Sequence, residues 1–437
     1  MCGRITILIC VGLSVAATSH AHADALARLK PERLKAVHDA ILALRAQRQE
    51  TVRPGRLLDF RANLHVHSSL SHDSRGRIEE IVSAAKAAGT RILMFTEHPA
   101  DHYDYLKDGH RGVRDGVLLI PGAEASGFLA FPKRSLRGIK PGSPQEFADL
   151  VRRDGGLVFL SHLEERMDWK IRDLTGTEIY NTHADFKDEQ KLIAAMRNPL
   201  WLLTTVNLFR RYPQEAFSAL QDYPADYLGR WDQLCAERPH TGVAANDSHQ
   251  NAGLLIRLAE NGKARVDDAL GKKVFELPVN AYAPLRDLAK DKKPGDVIFQ
   301  HLLDPYAISL RHVGSHLLLP RLGENEVWEA LAAGRVYVAF DWLADPCGFD
   351  FAAFTPERRY EMGSRIQFDR ALKLRAQAPL SVTWKLLRDG TVVREETGRR
   401  LQVPVASAGV YRVEAWLSIA GESTIWVLSN PVYIRAA

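Results

Sequence analysis

Apolar positions along the chain change their period several times, and each change marks an element. Leu34, Val37, Ile41 and Leu44 recur at helical spacing through a basic stretch ending near Pro54-Gly55, which predicts a helix with one docking face. From residue 60 strand and helix alternate. Asn63 to His67 reads as a strand, Ile78, Ile81, Val82 and Ala85 as one face of a helix ending at Gly89, and Ile92 to Phe95 as the next strand. Val117 to Ile120, Leu157 to Leu160, Glu178 to Tyr180 and Gly242 to Ala245 are further short apolar strands. Between them Ser143-Pro144-Gln145-Glu146 opens a helix with a capping box, Gly155-Gly156 closes it, and helical segments follow near Glu189 to Arg197 and Tyr227 to Ala236. This alternation predicts an α/β fold on a parallel sheet, and strands so short favour closure into a barrel.

Beyond about residue 345 the pattern becomes all-β. Leu380 to Leu387, the Asp389-Gly390 pair and Thr391 to Arg394 predict a hairpin, with Val382, Trp384 and Leu386 alternating as in a half-buried strand. Arg399 to Val405, Val410 to Leu417, Thr424 to Leu428 and Val432 to Ile434 continue it as a small antiparallel sandwich. Residues 250–345, with strands at Lys273 to Val279 and Val336 to Phe340 and a helix at Glu324 to Ala333, are assigned to the first unit. The expected organisation is a signal peptide over 1–23, a helix and linker over 24–55, a barrel over 56–345 and a sandwich over 346–437.

Composition narrows the function classes. The 437 residues carry a net charge of +5, with Lys and Arg dispersed among Asp and Glu, which argues against a nucleic-acid surface. Arg4 is the only charge in the first 23 residues, Ile5 to Val15 is almost wholly apolar, and Ala21-His22-Ala23 supplies a cleavage position. That is the pattern of a secretory signal, and it is shorter than the roughly 20 apolar residues a membrane span needs. A periplasmic or secreted protein without membrane insertion after cleavage is expected. Cys2 and Cys10 would leave with the signal; Cys235 and Cys347 remain, and export permits them a disulfide, although ordinary packing is the expected role.

The chemistry concentrates at strand ends. In the stretch NLHVHSSLSHDSRG, a strand period of two puts His65 and His67 on one side. Later strands end in Glu97-His98, Glu124, His162, His183 and Asp247-Ser248-His249. In a parallel barrel these ends share one face, where so many acids and imidazoles would stand uncompensated without cations. A metal centre is therefore expected.

The motifs LHVH with SHDS, TEH, GAE, SHLE, IYNTH and NDSH occur in the order found in the polymerase and histidinol phosphatase (PHP) superfamily, which residues 60–250 resemble at nine positions. The resemblance implies a distorted (β/α)7 TIM-like barrel holding two or three divalent ions, Zn, Mn or Fe. It assigns His65, His67, Glu124 and Asp247 to one ion, and Glu124, His162 and His183 to a second, with Glu124 bridging. Asp73, His98 and His249 would complete a third. Two departures stand out: TEH where many relatives have TDH, and His72 beside Asp73 as a competing ligand. With an immunoglobulin-like sandwich at its carboxyl end, the chain is similar to the branch that includes carbaryl hydrolases.

Two neighbouring ions can share a water and lower its pKa to give a bridging hydroxide. The expected activity is hydrolysis of a small-molecule ester, a phosphoester by the resemblance, with Asp247, His249 and Glu124 as the candidate catalytic residues. A carbamate or carboxyl ester could be cleaved on the same centre, and a periplasmic metal- or glycan-binding protein without turnover is the third reading. Arg166, Lys170, Arg172 and Lys187 follow the His162 and His183 strands as a candidate phosphate clamp, whereas Trp169, Phe186 and Tyr180 could line an apolar site.

Overall fold

The structure is a computed structural model that describes residues 24–196 and 198–436. The expected signal peptide, residues 1–23, lies outside the described residues.

Short strands follow one another as β1 (Leu58–Val66), β2 (Ile92–Phe95), β3 (Gly112–Arg114), β4 (Val117–Ile120), β5 (Ala123–Ala125), β6 (Phe128–Phe131), β7 (Leu157–Leu160), β8 (Gly176–Asn181) and β9 (Thr241–Ser248). β1 is parallel to β2 on one side and to β9 on the other. β2 continues in parallel to β4, and β7, β8 and β9 are likewise parallel. A parallel bridge from Glu97 to Ala123 reaches β5, and antiparallel pairing through β6 to β7 completes a closed barrel.

β6 breaks the parallel rule for a local reason. Ser126 and Gly127 have φ of 54° and 85°, the two consecutive left-handed residues of a tight hairpin, so the chain reverses between Ala125 and Phe128 instead of crossing over. Leu64, Met94, Ile120, Leu129, Phe159 and Val243 meet in one buried cluster drawn from six strands. Removing each such side chain from water stabilises the barrel by about 1.5–3 kcal/mol. Helix Ile78–Ala88 covers the outside through Ile81, Val82 and Ala85, and Gly89 ends it at φ 79°.

After β9 the chain builds a separate antiparallel sheet from β10 (Gly253–Leu258), β11 (Lys263–Asp268), β12 (Lys273–Pro278) and β13 (Val297–Leu302), in the order β12-β11-β10-β13. It returns through helix Tyr306–His312 to β14 (Gly314–Leu319), antiparallel to the first half of β1, and then β15 (Val336–Ala339). β15 also pairs with the strand Glu422–Ser429, so the barrel sheet continues into the carboxyl-terminal β region. There the long strands Lys373–Arg388 and Thr391–Pro404 form a hairpin whose turn, Asp389 at φ 51° and Gly390 at φ 77°, is the one the sequence predicts. Trp384 and Trp426 are fully buried in its core. Cys235 is buried and Cys347 exposed, and both are free. Among the described residues, no helix is long and apolar enough to cross a membrane.

Candidate metal centre

The first histidine does not sit in a regular strand. His65 has φ 62°, and the register of β1 against both neighbours shifts between Leu64 and Val66. The expected simple alternation is thus corrected to a bulge, with His67 just past the strand end. The two imidazoles still converge, their ring centroids 5.2 Å apart. His162 and Asp247 also occupy left-handed conformations, at φ 46° and 50°. Three non-glycine residues in this costly region at one site indicate backbone held by its surroundings to aim side chains.

Glu124 and Asp247 lie at the middle of the cluster. Nε2 of His65 is 3.1 Å from both Glu124 Oε2 and Asp247 Oδ1. Nε2 of His67 lies 3.6 Å and 3.5 Å from the same two oxygens. The other Glu124 oxygen, Oε1, is 3.0 Å from Nε2 of His162. Ligand atoms of His65, His67, Glu124 and Asp247 all fall within 4.8 Å of one another, and those of His67, Asp73, His98 and His249 form a second such group. Asp73 Oδ2 stands 3.3 Å from His98 Nε2 and 3.4 Å from His249 Nε2. Asp73 therefore enters the group, while His72 is exposed and only packs its ring beside His98.

His183 stands at the margin. It lies in the first turn of helix Thr182–Asp188, half-exposed, with Nδ1 4.0 Å from Asp247 Oδ2. The neighbour that His162 does gain is Glu164, 3.2 Å from its Nδ1, within a third group of His162, Glu164 and Glu165.

Several buried atoms in the centre have no hydrogen-bond partner: Nε2 of His67 and His249, and Oδ1 of Asp73 and Asp247. Orphaned imidazole nitrogens and carboxylate oxygens gathered in these two groups are costly unless cations satisfy them, so the residues fit divalent ions. Without a cation the protons redistribute. Burial opposes charge on His65, but Asp247, Glu124 and Glu178 outweigh it and raise its pKa well above the ordinary value. Burial also opposes charge on His162, yet hydrogen bonds to Glu124 and Glu164 raise it to about 10. Burial, with His249 nearby, lowers His67 to about 3. Burial would raise the carboxyls of Glu124 and Asp247, but His65 in particular holds both well below the carboxylate range.

Supporting residues were less legible. Fully buried Glu178 accepts from His65 Nδ1 at 2.7 Å, from the His162 backbone N–H at 2.8 Å and from Asn181 Nδ2 at 3.0 Å. Glu97 is gripped by the Ser68 backbone and hydroxyl and by Ser71 Oγ, and Ser71 also meets His67 Nδ1 at 3.1 Å. The glutamate of TEH is thus an anchor behind His67. Its strand-end position was a signal; nothing in the pattern of β8 marked Glu178.

A family model described as the PHP domain matches residues 63–223. That segment of the chain is similar to the PHP domain. The match ends before Asp247 and His249, so β9 brings two residues of the centre from beyond it. Among solved structures, the chain is similar to a two-domain protein from Bacteroides vulgatus described as containing a predicted PHP-like metal-dependent phosphoesterase. The identity is 12%, the alignment covers 87% of this chain and 98% of that one, and the TM-score is 0.36. No curated protein matches the chain significantly.

Beside the candidate metal centre lies a cavity of about 160 Å3. Asp247, His249 and His183 form one wall, Leu192, Phe209, Phe217 and Leu303 supply apolar surface, Asp304 adds a carboxyl, and among the described residues the lining includes no Lys or Arg. The expected cationic clamp is not assembled here. Arg166 donates to the carbonyls of Ser161 and His162, Lys187 pairs with Glu165 at 2.9 Å, and Lys170 and Arg172 are exposed. Of the expected apolar residues, Phe186 lines this cavity, whereas Trp169 packs with Phe128 and Tyr180 lies in the core against Phe340.

Proposed function

We propose that the PHP domain is a metal-dependent hydrolase that holds two or three divalent ions of the Zn, Mn or Fe kind and cleaves a small-molecule phosphoester. The observation that carries this reading is the division of Glu124, whose two oxygens face different imidazoles: Oε2 meets His65 and Oε1 meets His162. A carboxylate so placed can serve two ions. His65, His67, Glu124 and Asp247 would hold one, Glu124 and His162 with His183 a second, and Asp73, His98 and His249 a third. Bound there, the ions would supply Lewis acidity and lower the pKa of a water toward neutrality. The chain's own part is to aim the ligands from strained backbone, to fix the His65 tautomer through Glu178, and to pass a proton at Asp247 or His249.

A second reading is cleavage of a carbamate or carboxyl ester on the same centre. The cavity beside Asp247, with apolar side chains and no cation among its described lining residues, favours it. A metal- or glycan-binding protein without turnover is the remaining reading. We also propose export, on the strength of Ile5 to Val15 and Ala21-His22-Ala23. A mature chain beginning near Asp24 by amino-terminal mass analysis supports it, and an intact Met1 in recovered soluble protein overturns it.

The test of the metal reading is elemental analysis of protein purified without chelators. At least two equivalents per chain are expected, and Glu124→Ala should lose two equivalents together with ester turnover. Loss of a single equivalent overturns the bridging role.

A further inference from the structure

A broad concavity lies at the opposite end of β9 from the metal centre. It measures about 670 Å3 and lies in the seam between the start of the barrel strands and the carboxyl-terminal region. Arg238 just ahead of β9 and Arg335 just ahead of β15 line one side; Arg358, Arg359, Arg365 and Arg435 line the other. A second cavity of about 510 Å3 shares Arg358 and Arg365 and extends the concavity along Gln367 and Phe368. Asp247 ends β9 at the opposite face, about 20 Å away by the rise of a strand.

The charge here is unbalanced. Arg238 pairs with Asp173, and Arg359 shares Asp350 and Glu361 with Arg53. Among the described residues, Arg335 has only the exposed Glu329 at 3.9 Å, and its Nε is buried without a hydrogen-bond partner. Among the described residues, no ion pair includes Arg358, Arg365 or Arg435. Among the described residues, Glu361 is the acid on this wall and Asp369 the acid on the extension, against six arginines. Like charges gathered around a concavity raise a positive potential in it, and repel one another until an anion enters.

The site is also preformed. Gly363 and Gly334, at φ 81° and 69°, let the turn at 361–364 press against the barrel; a Cβ on Gly363 would lie 1.7 Å from the Ala333 carbonyl oxygen. Arg365 and Arg435 project from the paired strands Arg365–Gln367 and Val432–Arg435. All the cations are arginines, whose planar forks match phosphoryl oxygens bidentately in a way lysine does not.

We propose that this seam binds a ligand carrying two or more phosphoryl groups, separately from the metal centre. The test is calorimetry on the full chain with fructose 1,6-bisphosphate as probe and sulfate at matched ionic strength as control. Binding at least tenfold tighter than sulfate is expected in the wild type and in Glu124→Ala, which keeps this result independent of the hydrolase reading. Arg358→Gln with Arg365→Gln, both exposed and free of ion pairs among the described residues, should weaken it tenfold or more without moving the melting temperature. Binding no tighter than sulfate, binding unchanged in the double variant, or binding lost in Glu124→Ala overturns the proposal.

Discussion

Glu178 accepts a hydrogen bond from Nδ1 of His65 at 2.7 Å, with both side chains fully out of water. The contact fixes which nitrogen of His65 faces Glu124 and Asp247. Glu178→Gln should keep the fold but lower metal affinity about 10- to 100-fold, the usual cost of losing a partner behind a ligand. Competition against a fluorescent chelator measures it, and unchanged affinity would remove Glu178 from the site.

Metal loading should release protons. In the cation-free chain His65 is held charged by its carboxylates despite burial, and His162 is raised to about 10, so both are protonated near neutrality. Ions can bind only the neutral rings, and roughly two protons per chain should leave at pH 7–8. Calorimetric titration in buffers of different ionisation enthalpy counts them. Affinity should correspondingly fall as pH is lowered.

The loop behind His67 has no room to spare. Tyr306 donates from its hydroxyl to the His67 carbonyl at 2.7 Å, and a Cβ on Gly76 would lie 2.1 Å from that hydroxyl oxygen. Gly76→Ala should cost about 1–3 kcal/mol by overpacking and loosen His67. Thermal melts with and without added metal would show it as a lowered Tm and a smaller metal-induced rise.

At the far end of β1, His316 lies buried between Asp59 at 2.8 Å and Asp341 at 3.0 Å. Burial opposes its charge, but the two aspartates outweigh it and raise the pKa from 6.5 to about 10. A raised folded pKa means this stabilisation is complete below about pH 6.5 and is lost as pH climbs through 10. His316→Ala should cost less than the roughly 3–5 kcal/mol of a wholly unpaired buried charge, because Arg61 still pairs with Asp341 and the Tyr337 hydroxyl with Asp59, and should flatten the alkaline fall in Tm.

The strand ends and the acids and imidazoles they bring together were legible because such residues at the ends of short apolar runs have few other uses. The Asp389-Gly390 turn was legible because its two left-handed residues demand that chemistry. The bulge at His65 was not, since a register shift is set by the two neighbouring strands and leaves no local mark. The Ser126-Gly127 hairpin was hidden within one apolar stretch. Glu178 read as part of a buried strand, and only the meeting of β8 with β1 gives its charge a partner. His183 read as a strand end, but Asn181 caps a helix there and the imidazole stands at the margin of the centre, 4.0 Å from Asp247.

The reaction itself is decided by comparing aryl phosphate, carboxyl ester and carbamate substrates with one shared leaving group on metal-loaded protein. Matching the leaving group makes the kcat/KM ratio report stabilisation at the reacting centre rather than fit of the aryl ring. The account predicts faster hydrolysis of the phosphoester, abolished in His65→Ala and Asp247→Ala. A preference of about tenfold or more for the carboxyl ester or carbamate, roughly 1.4 kcal/mol of barrier, would contradict it.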